Sequence, residues 1–295
     1  MNQQLLVPSR GRRLDANLPE PSLAEPSEPS LAEPPRLYAE PTSRSRALGL
    51  RILVPLLLLL AWAVGSASGA IADNVLASPA EVARTGQRLI ASGVLWHHLS
   101  LSLGRAALGL LVGGGLGLVL GTLAGLSKLA ENLLDPTVQM VRAVPFLALV
   151  PLFIVWFGIG ETSKILLIAA AAAKPMYLNA FGGARSVDKK LVEMARVFGL
   201  SRFSQVTELF LPAALPSLMV GLRLATSMSL IALIAVEVIN TSRGIGFLML
   251  QAQEFFKTGI LVVCIVLYAL FGLGTDLMVR VLERVFIPWR TQGRS

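Results

Sequence analysis

The chain has 295 residues, of which 54% are hydrophobic and only 15% charged, and its mean hydropathy is +0.67. Soluble domains carry about 25% charged residues, so this composition excludes an ordinary soluble protein and predicts a membrane protein with several spans. The formal net charge of +8 would suit nucleic acid, but basic residues between apolar runs are typical of cytoplasmic loops in membrane proteins.

The first 47 residues differ in composition from everything that follows. Residues 1–47 are rich in Pro, Glu, Ser and Arg, and the heptapeptide EPSLAEP occurs twice within them. A segment of this kind buries too little apolar surface to offset the conformational entropy that is lost on folding. We therefore predict a disordered tail, which the orientation argued below places in the cytoplasm.

Apolar runs of about 20 residues, enough for a helix to cross a bilayer, recur along the rest of the chain. Residues 48–93 hold the first span and an external segment. Pro145 and Pro151 fall inside the third span, where neighbouring helices satisfy the carbonyls that a proline leaves free. The sequence predicts an all-α membrane protein with six spans, at about 47–68, 101–126, 137–158, 163–182, 215–239 and 259–282.

The distribution of Lys and Arg gives the expected orientation. Most of the 26 Lys and Arg residues lie before the first span, between the fourth and fifth spans, or after the sixth. Basic residues concentrate on the cytoplasmic side of membrane proteins. Both termini and the segment between spans four and five are therefore predicted to be cytoplasmic.

The second span carries glycines at a strict spacing of four. Residues four apart lie on one face of a helix, so this face lacks side chains and lets a neighbouring backbone approach closely. We predict tight helix packing along it, either within the subunit or at a subunit interface. The glycines are Gly109, Gly113, Gly117, Gly121 and Gly125.

Two ionisable residues lie inside predicted spans and are candidates for a translocation path. Lys174 lies about ten residues into the fourth span, near the middle of the membrane, and Glu237 lies near the external end of the fifth. An internal ion pair or a snorkelling side chain is the simpler interpretation of both.

Signatures of enzymes are missing. The sequence has no H-E-x-x-H, G-x-S-x-G or G-x-x-x-x-G-K-[ST] motif. It therefore predicts no catalytic residue, no metal ligand and no cofactor bound by this chain. A secondary transporter stays open as an alternative, although internal repeats and paired broken helices, which are typical of that class, are not visible.

An amphipathic, charged segment lies between spans four and five. Leu191, Met194, Ala195 and Phe198 follow the i, i+3, i+4, i+7 spacing of one helix face. Gly199 is suited to end that helix in a left-handed turn.

A second short helix is expected directly after this turn. Ser201 is suited to cap its first turn, and Pro212 and Pro216 are expected to redirect the chain into span five. A helix-turn-helix on the cytoplasmic surface suits docking into a groove of a soluble partner.

The spacing of this segment resembles the EAA signature of permease subunits of binding-protein-dependent ABC importers. Glu193 and Ala195 are followed by Gly199 and, after nine intervening residues, by Leu209-Phe210-Leu211-Pro212. Met194 departs from the family, which usually has a second alanine there.

Further stretches resemble the aliphatic sulfonate, nitrate and taurine branch of these permeases, and most of all the aliphatic sulfonate permeases. The likeness covers roughly residues 75–285. It is carried by WHHLSLSLGRAALGLLVGGGLGLVLG, LLDPTVQMVRAVPFLALVPLFIVWFGIGE, KKLVEMARVFGLS and SRGIGFLMLQAQEF. Lys174 stands where an apolar residue is expected.

The resemblance implies the type I ABC importer permease fold, with a transmembrane domain at 94–284 and a cytoplasmic C-terminal tail at 285–295. It also implies that residues 185–213, the EAA loop, dock the ATPase subunit. The residues that match the docking signature are Glu193, Ala195, Gly199, Leu200, Ser201, Leu211 and Pro212.

The function implied is that of a permease subunit in an ATP-driven importer of small anions, with aliphatic sulfonates expected and nitrate or taurine as alternatives. The resemblance implies a homodimer in the lipid of a bacterial inner membrane. It also implies two ATPase subunits, which hold ATP and Mg²⁺, and a periplasmic substrate-binding protein. No nucleic acid is expected as a partner.

Overall fold

A computed structural model describes residues 44–201, 204–239 and 241–287. The predicted tail lies almost entirely outside these residues, and so do residues 288–295 of the predicted C-terminal tail. By backbone contacts the chain divides into residues 1–54 and residues 55–295. The second unit contains the features discussed below.

The described residues are helical in all their regular elements, which confirms the predicted all-α class. A 3₁₀ turn spans Phe146–Leu149, and a π-helical turn spans Gln205–Phe210. The α-helices are α1 (Arg44–Ala67), α2 (Pro79–Ala91), α3 (Val94–Leu126), α4 (Lys128–Ala143), α5 (Val150–Phe157), α6 (Glu161–Arg185), α7 (Lys189–Val197), α8 (Leu211–Ile239), α9 (Ile245–Glu254) and α10 (Thr258–Phe286).

Four helices of the described chain are long and apolar enough to cross a membrane. They are α3, α6, the continuous helix Gln205–Ile239 and α10, which have 25 to 35 residues. The apolar part of α1, Leu53–Ala67, is shorter. The predicted count of six spans is therefore not confirmed: the described residues give four, or five if one bent pair of helices counts as a span.

The bent pair replaces the predicted third span at 137–158. Helix α4 and the segment Phe146–Phe157 meet at 91°, because Val144 is extended (φ −80°, ψ 121°) ahead of Pro145. A residue before proline is sterically driven out of the helical region. Pro151 causes no break, because it occupies the first turn of α5, where its missing N–H costs no hydrogen bond.

Helix α6 packs between α3 and α8. Its contact with α3 runs along the glycine stripe, the five α3 glycines that are spaced four apart from Gly109 to Gly125. The close approach predicted from the spacing therefore occurs within the subunit. A Cβ atom built at Gly113 or Gly117 would overlap the carbonyl of Ala169 or Ala173, and one at Gly125 would lie 2.6 Å from Cβ of Ala184. Gly109 and Gly121 face Ile168 and Tyr177 of α6 in the same way.

Small residues also bring α6 and α8 together. A Cβ atom built at Gly221 would lie 2.7 Å from Cβ of Asn179, and Ser217 donates a hydrogen bond of 2.8 Å to the Asn179 carbonyl. Ala172 of α6 and Ala225 of α8 have no exposed surface. Helices in a bilayer associate through such van der Waals contacts, since burial from lipid gives no hydrophobic gain.

Candidate functional site

The first helix of the EAA loop has the amphipathic form that its sequence predicts, but most of its apolar face is uncovered. Leu191, Met194 and Phe198 are 48%, 54% and 77% exposed, whereas Ala195 is buried against the protein. Glu193 is exposed on the same helix, α7. An exposed apolar patch at a charged helix is typical of a protein interaction surface.

Gly199 ends this helix as predicted. Its φ is +75°, and Leu200 N–H donates to the Ala195 carbonyl at 3.0 Å while Phe198 N–H donates to Met194 at 2.9 Å. The bond between residues five apart, with a left-handed glycine before its donor, is a Schellman motif. Ala195 and Gly199, two residues of the EAA signature, thus build the turn between the two helices of the loop.

Ser201 caps the next turn, as predicted. Its hydroxyl oxygen accepts a hydrogen bond from Ser204 N–H at 3.1 Å, and its carbonyl accepts from Gln205 N–H at 2.9 Å. The side-chain amide of Gln205 donates to the Leu200 carbonyl at 2.9 Å, which fixes the second half of the loop to the first.

The prediction that Pro212 and Pro216 redirect the chain is wrong. Gln205–Ile239 is one helical segment of 35 residues that carries Leu211 and Pro212 in its interior. The π-helical turn explains the continuity, because Leu211 N–H bonds to Val206, five residues back, and the ladder is already shifted where Pro212 lacks a donor. The second half of the EAA loop and the fifth predicted span are therefore one element.

The opposite end of α8, called the distal end here, contains a charge network formed by Arg105, Glu161, Lys164 and Glu237, of which only Glu161 is exposed. Glu237 has no exposed surface and Arg105 is 4% exposed. Nη1 of Arg105 lies 2.7 Å from Oε1 of Glu237. Its Nε and Nη2 donate to the two carboxylate oxygens of Glu161 at 2.6 and 2.7 Å. Lys164 donates to Glu161 at 3.0 Å.

This network joins three helices and has no net formal charge. Arg105 belongs to α3, Glu161 and Lys164 to α6, and Glu237 to α8. The planar guanidinium presents several donors in a fixed fork, so one arginine holds two carboxylates on different helices. The ion-pair interpretation of Glu237 describes its contacts, whereas its place in the translocation path stays a prediction.

The start of α9 is bonded into the same network. Arg105 Nη1 also donates to the Arg243 carbonyl at 2.6 Å. The next three backbone N–H groups donate to side chains of α3 or α8, each at 2.9 Å. On α3, His98 Nδ1 accepts from Gly244 N–H and Ser102 Oγ accepts from Ile245 N–H. On α8, Glu237 Oε2 accepts from Gly246 N–H.

Lys174 lies at the bend between α4 and α5. Its ammonium donates to the Val144 carbonyl at 2.9 Å, directly after the last residue of α4. Carbonyls at a helix C-terminus lack partners within the helix and favour a nearby cation. None of the ion pairs among the described residues involves Lys174, so the carbonyl satisfies only part of its bonding capacity.

Sequence reasoning missed Arg105 and Ser102 as partners of Glu237, and Glu161 as the second carboxylate partner of Arg105. Arg105 is the fifth residue of the predicted second span. An arginine inside an apolar helix requires a carboxylate partner, and that requirement was the available signal.

Comparisons with known proteins agree with the resemblance to permeases of ABC importers. Residues 113–287 match the family described as "Binding-protein-dependent transport system inner membrane component". The putative aliphatic sulfonates transport permease protein SsuC of Bacillus subtilis is 44% identical over 239 residues, covering 81% of this chain and 87% of the relative. The taurine transport system permease protein TauC of Escherichia coli is 35% identical, covering 84% of this chain and 92% of the relative.

A solved structure supports the fold. The MetNI methionine ABC transporter in an inward-facing conformation contains a chain that matches with a TM-score of 0.51 at 21% identity, over 63% of this chain and 93% of that one.

The matched family has membrane subunits rather than catalytic ones, and its ATPase is a separate subunit. The chain belongs to the family of binding-protein-dependent transport system inner membrane components, as a multi-pass permease that works with an ATPase and a binding protein.

Proposed function

We propose that this permease imports small organosulfonate anions, with alkanesulfonates preferred over taurine and nitrate. The observation that carries the substrate is the 44% identity to a permease named for aliphatic sulfonates, against 35% to one named for taurine. Both relatives align over more than four fifths of this chain, so the two identities compare nearly the same length of sequence.

Lys174 supplies a physical reason for an anion. Its ammonium group belongs to the predicted fourth span, and the bond to the Val144 carbonyl uses only part of its N–H donors. A cation there lowers the free energy of bringing an anion out of water. We assign it to the translocation path on this ground.

We infer that two copies of the permease form the path between them in a bacterial inner membrane, with both termini in the cytoplasm. Two ATPase subunits hold ATP and Mg²⁺ and dock at the EAA loops, where Leu191, Met194 and Phe198 offer an apolar surface. Closure of the ATPases on ATP displaces the EAA loops and opens the path outward. A periplasmic binding protein then releases the anion into it.

Growth on single sulfur sources tests the substrate. A strain without the gene should lose growth on ethanesulfonate and keep growth on sulfate, and the intact gene should restore it. Loss of growth on taurine alone would replace the alkanesulfonate assignment by taurine. A defect in nitrate uptake with growth on ethanesulfonate intact would replace it by nitrate. The mass of the purified permease in detergent tests the dimer, and a monomeric mass contradicts it.

A further inference from the structure

The contact between α9 and the distal end of α8 is made by a buried carboxylate. Glu237 accepts the Gly246 N–H at 2.9 Å and, through its other oxygen, the guanidinium of Arg105 at 2.7 Å. Tyr268 of α10 and Ser102 of α3 also donate to it. The negative carboxylate lies at the N-terminus of α9, where the helix dipole favours it.

The backbone of α9 approaches Glu237 too closely for any residue but glycine. A Cβ atom at Gly246 would lie 2.5 Å from Cβ of Glu237. Gly244 has φ +124°, and a Cβ atom there would lie 2.7 Å from Nη1 of Arg105. The two glycines of the segment SRGIG therefore allow the start of α9 to lie directly on the charge network.

Separation of α9 from α8 would leave buried polar groups without partners. Glu237 and Arg105 are almost completely buried, and a buried charge that loses its partner is strongly destabilising. A displacement of α9 therefore moves α8 with it. Because α8 continues without a break into the EAA loop, such a displacement reaches the opposite end of the same helix.

The other end of α9 offers a surface on which a partner can act. Phe255 and Phe256 are 63% and 83% exposed, and Phe256 has a positive φ of 52°. A cavity of about 650 Å³ opens at Phe256, and its lining includes Lys257 and also Arg84 and Arg88 of α2. Exposed aromatic and arginine side chains around a cavity are typical of protein interfaces.

We propose that Glu237 is a positioning residue for coupling: it fixes α9 to α8, so that the binding protein, on engaging the turn after α9, acts on the helix that ends in the EAA loop. This inference rests on the proposed function, because it requires an importer whose ATPase responds to a binding protein. It assigns to the pair Arg105–Glu237 a role in signalling between the two faces of the membrane.

The test compares ATP hydrolysis by the complete complex, reconstituted in lipid, with and without its binding protein loaded with ethanesulfonate. Glu237→Gln keeps the size of the side chain and removes the charge that holds Arg105 and α9. We expect hydrolysis without the binding protein to persist and its stimulation by the loaded binding protein to fall about fivefold or more, the scale of a lost coupling free energy. Arg223→Gln is the matched control. It removes two ion pairs between α8 and α10, those of Arg223 with Asp276 and Glu283, more than three helical turns from Glu237, so the stimulation ratio should stay at the wild-type value.

A second variant distinguishes positioning from folding. Gly246→Ala pushes the start of α9 away from Glu237 and leaves all four charges in place, and it should also lower the stimulation ratio. If Glu237→Gln does not assemble, Gly246→Ala decides. A wild-type ratio in both variants overturns the inference, and so does a loss of stimulated and unstimulated hydrolysis in equal proportion. A wild-type complex that does not respond to its binding protein at all contradicts the proposed function itself.

Discussion

Substitution of Gly117 by alanine tests the contact between α3 and α6 with one methyl group. A Cβ atom at this position would overlap the Ala173 carbonyl and lie 3.0 Å from both Cβ of Met176 and N of Tyr177. Ordinary contacts of a Cβ atom begin near 3.4 Å, and none of these three neighbours moves with a change of rotamer, because two are backbone atoms and the third is a Cβ atom. The helices must therefore separate.

The size of the effect follows from this geometry. A gap of 0.5–1 Å forfeits roughly a quarter to a half of the dispersion energy of the atoms that face it, and overpacking of a close-packed contact costs about 1–3 kcal/mol. We expect Gly117→Ala to lower the stability of the purified permease by about this amount, and Gly117→Leu to lower it further and to reduce assembly.

Gly115 is the matched control on the same helix. It lies in the same turn, and no atom lies within 4 Å of a Cβ atom built there. Thermal unfolding in detergent and the amount of complex recovered with the ATPase should fall for Gly117→Ala and stay at the wild-type level for Gly115→Ala. Equal behaviour of the two variants would refute the assignment of the glycine stripe to the α3–α6 contact.

Three further predictions concern the EAA loop and Lys174. Phe198→Glu should reduce the recovery of the ATPase with the permease, because it places a charge in the exposed apolar surface, and unchanged recovery would argue against docking there. Gly199→Val should destabilise the loop by about 1–2 kcal/mol, since φ is +75°; protease cleavage within residues 185–213 should become faster, and an unchanged rate would contradict the left-handed turn. Lys174→Met should leave assembly intact and lower ethanesulfonate uptake, and full uptake by an assembled variant would remove Lys174 from the path.

The sequence predicts best those features that depend on local spacing. Helix periodicity and capping act over a few residues. They predict the apolar-face position of Ala195, the helix end at Gly199 and the cap at Ser201, and the structure contains all three. The glycine period predicts a close contact but leaves the neighbouring helix open, because a bare helix face fits any smooth surface. The identity of α6 as that neighbour required the structure.

Long-range pairing and helix continuity could not be obtained in the same way. Arg105 and Glu237 are separated by 132 residues, and no local pattern indicates that they meet. A proline usually ends or kinks a helix. Pro212 does not, because a π-helical turn precedes it and the helix continues through it. The bend at Val144 depends on a single proline, although Pro151 a few residues later causes none.

The uncovered apolar face of α7 has a consequence for the supply of subunits in the cell. Under the docking proposed above, a permease that reaches the membrane before its ATPase presents Leu191, Met194 and Phe198 to water, and exposed apolar surface of this kind promotes aggregation and recognition by proteases and chaperones. Permease made in excess over the ATPase should therefore be short-lived. The abundance of the permease would then follow the abundance of its partner, even when the two are synthesised at different rates.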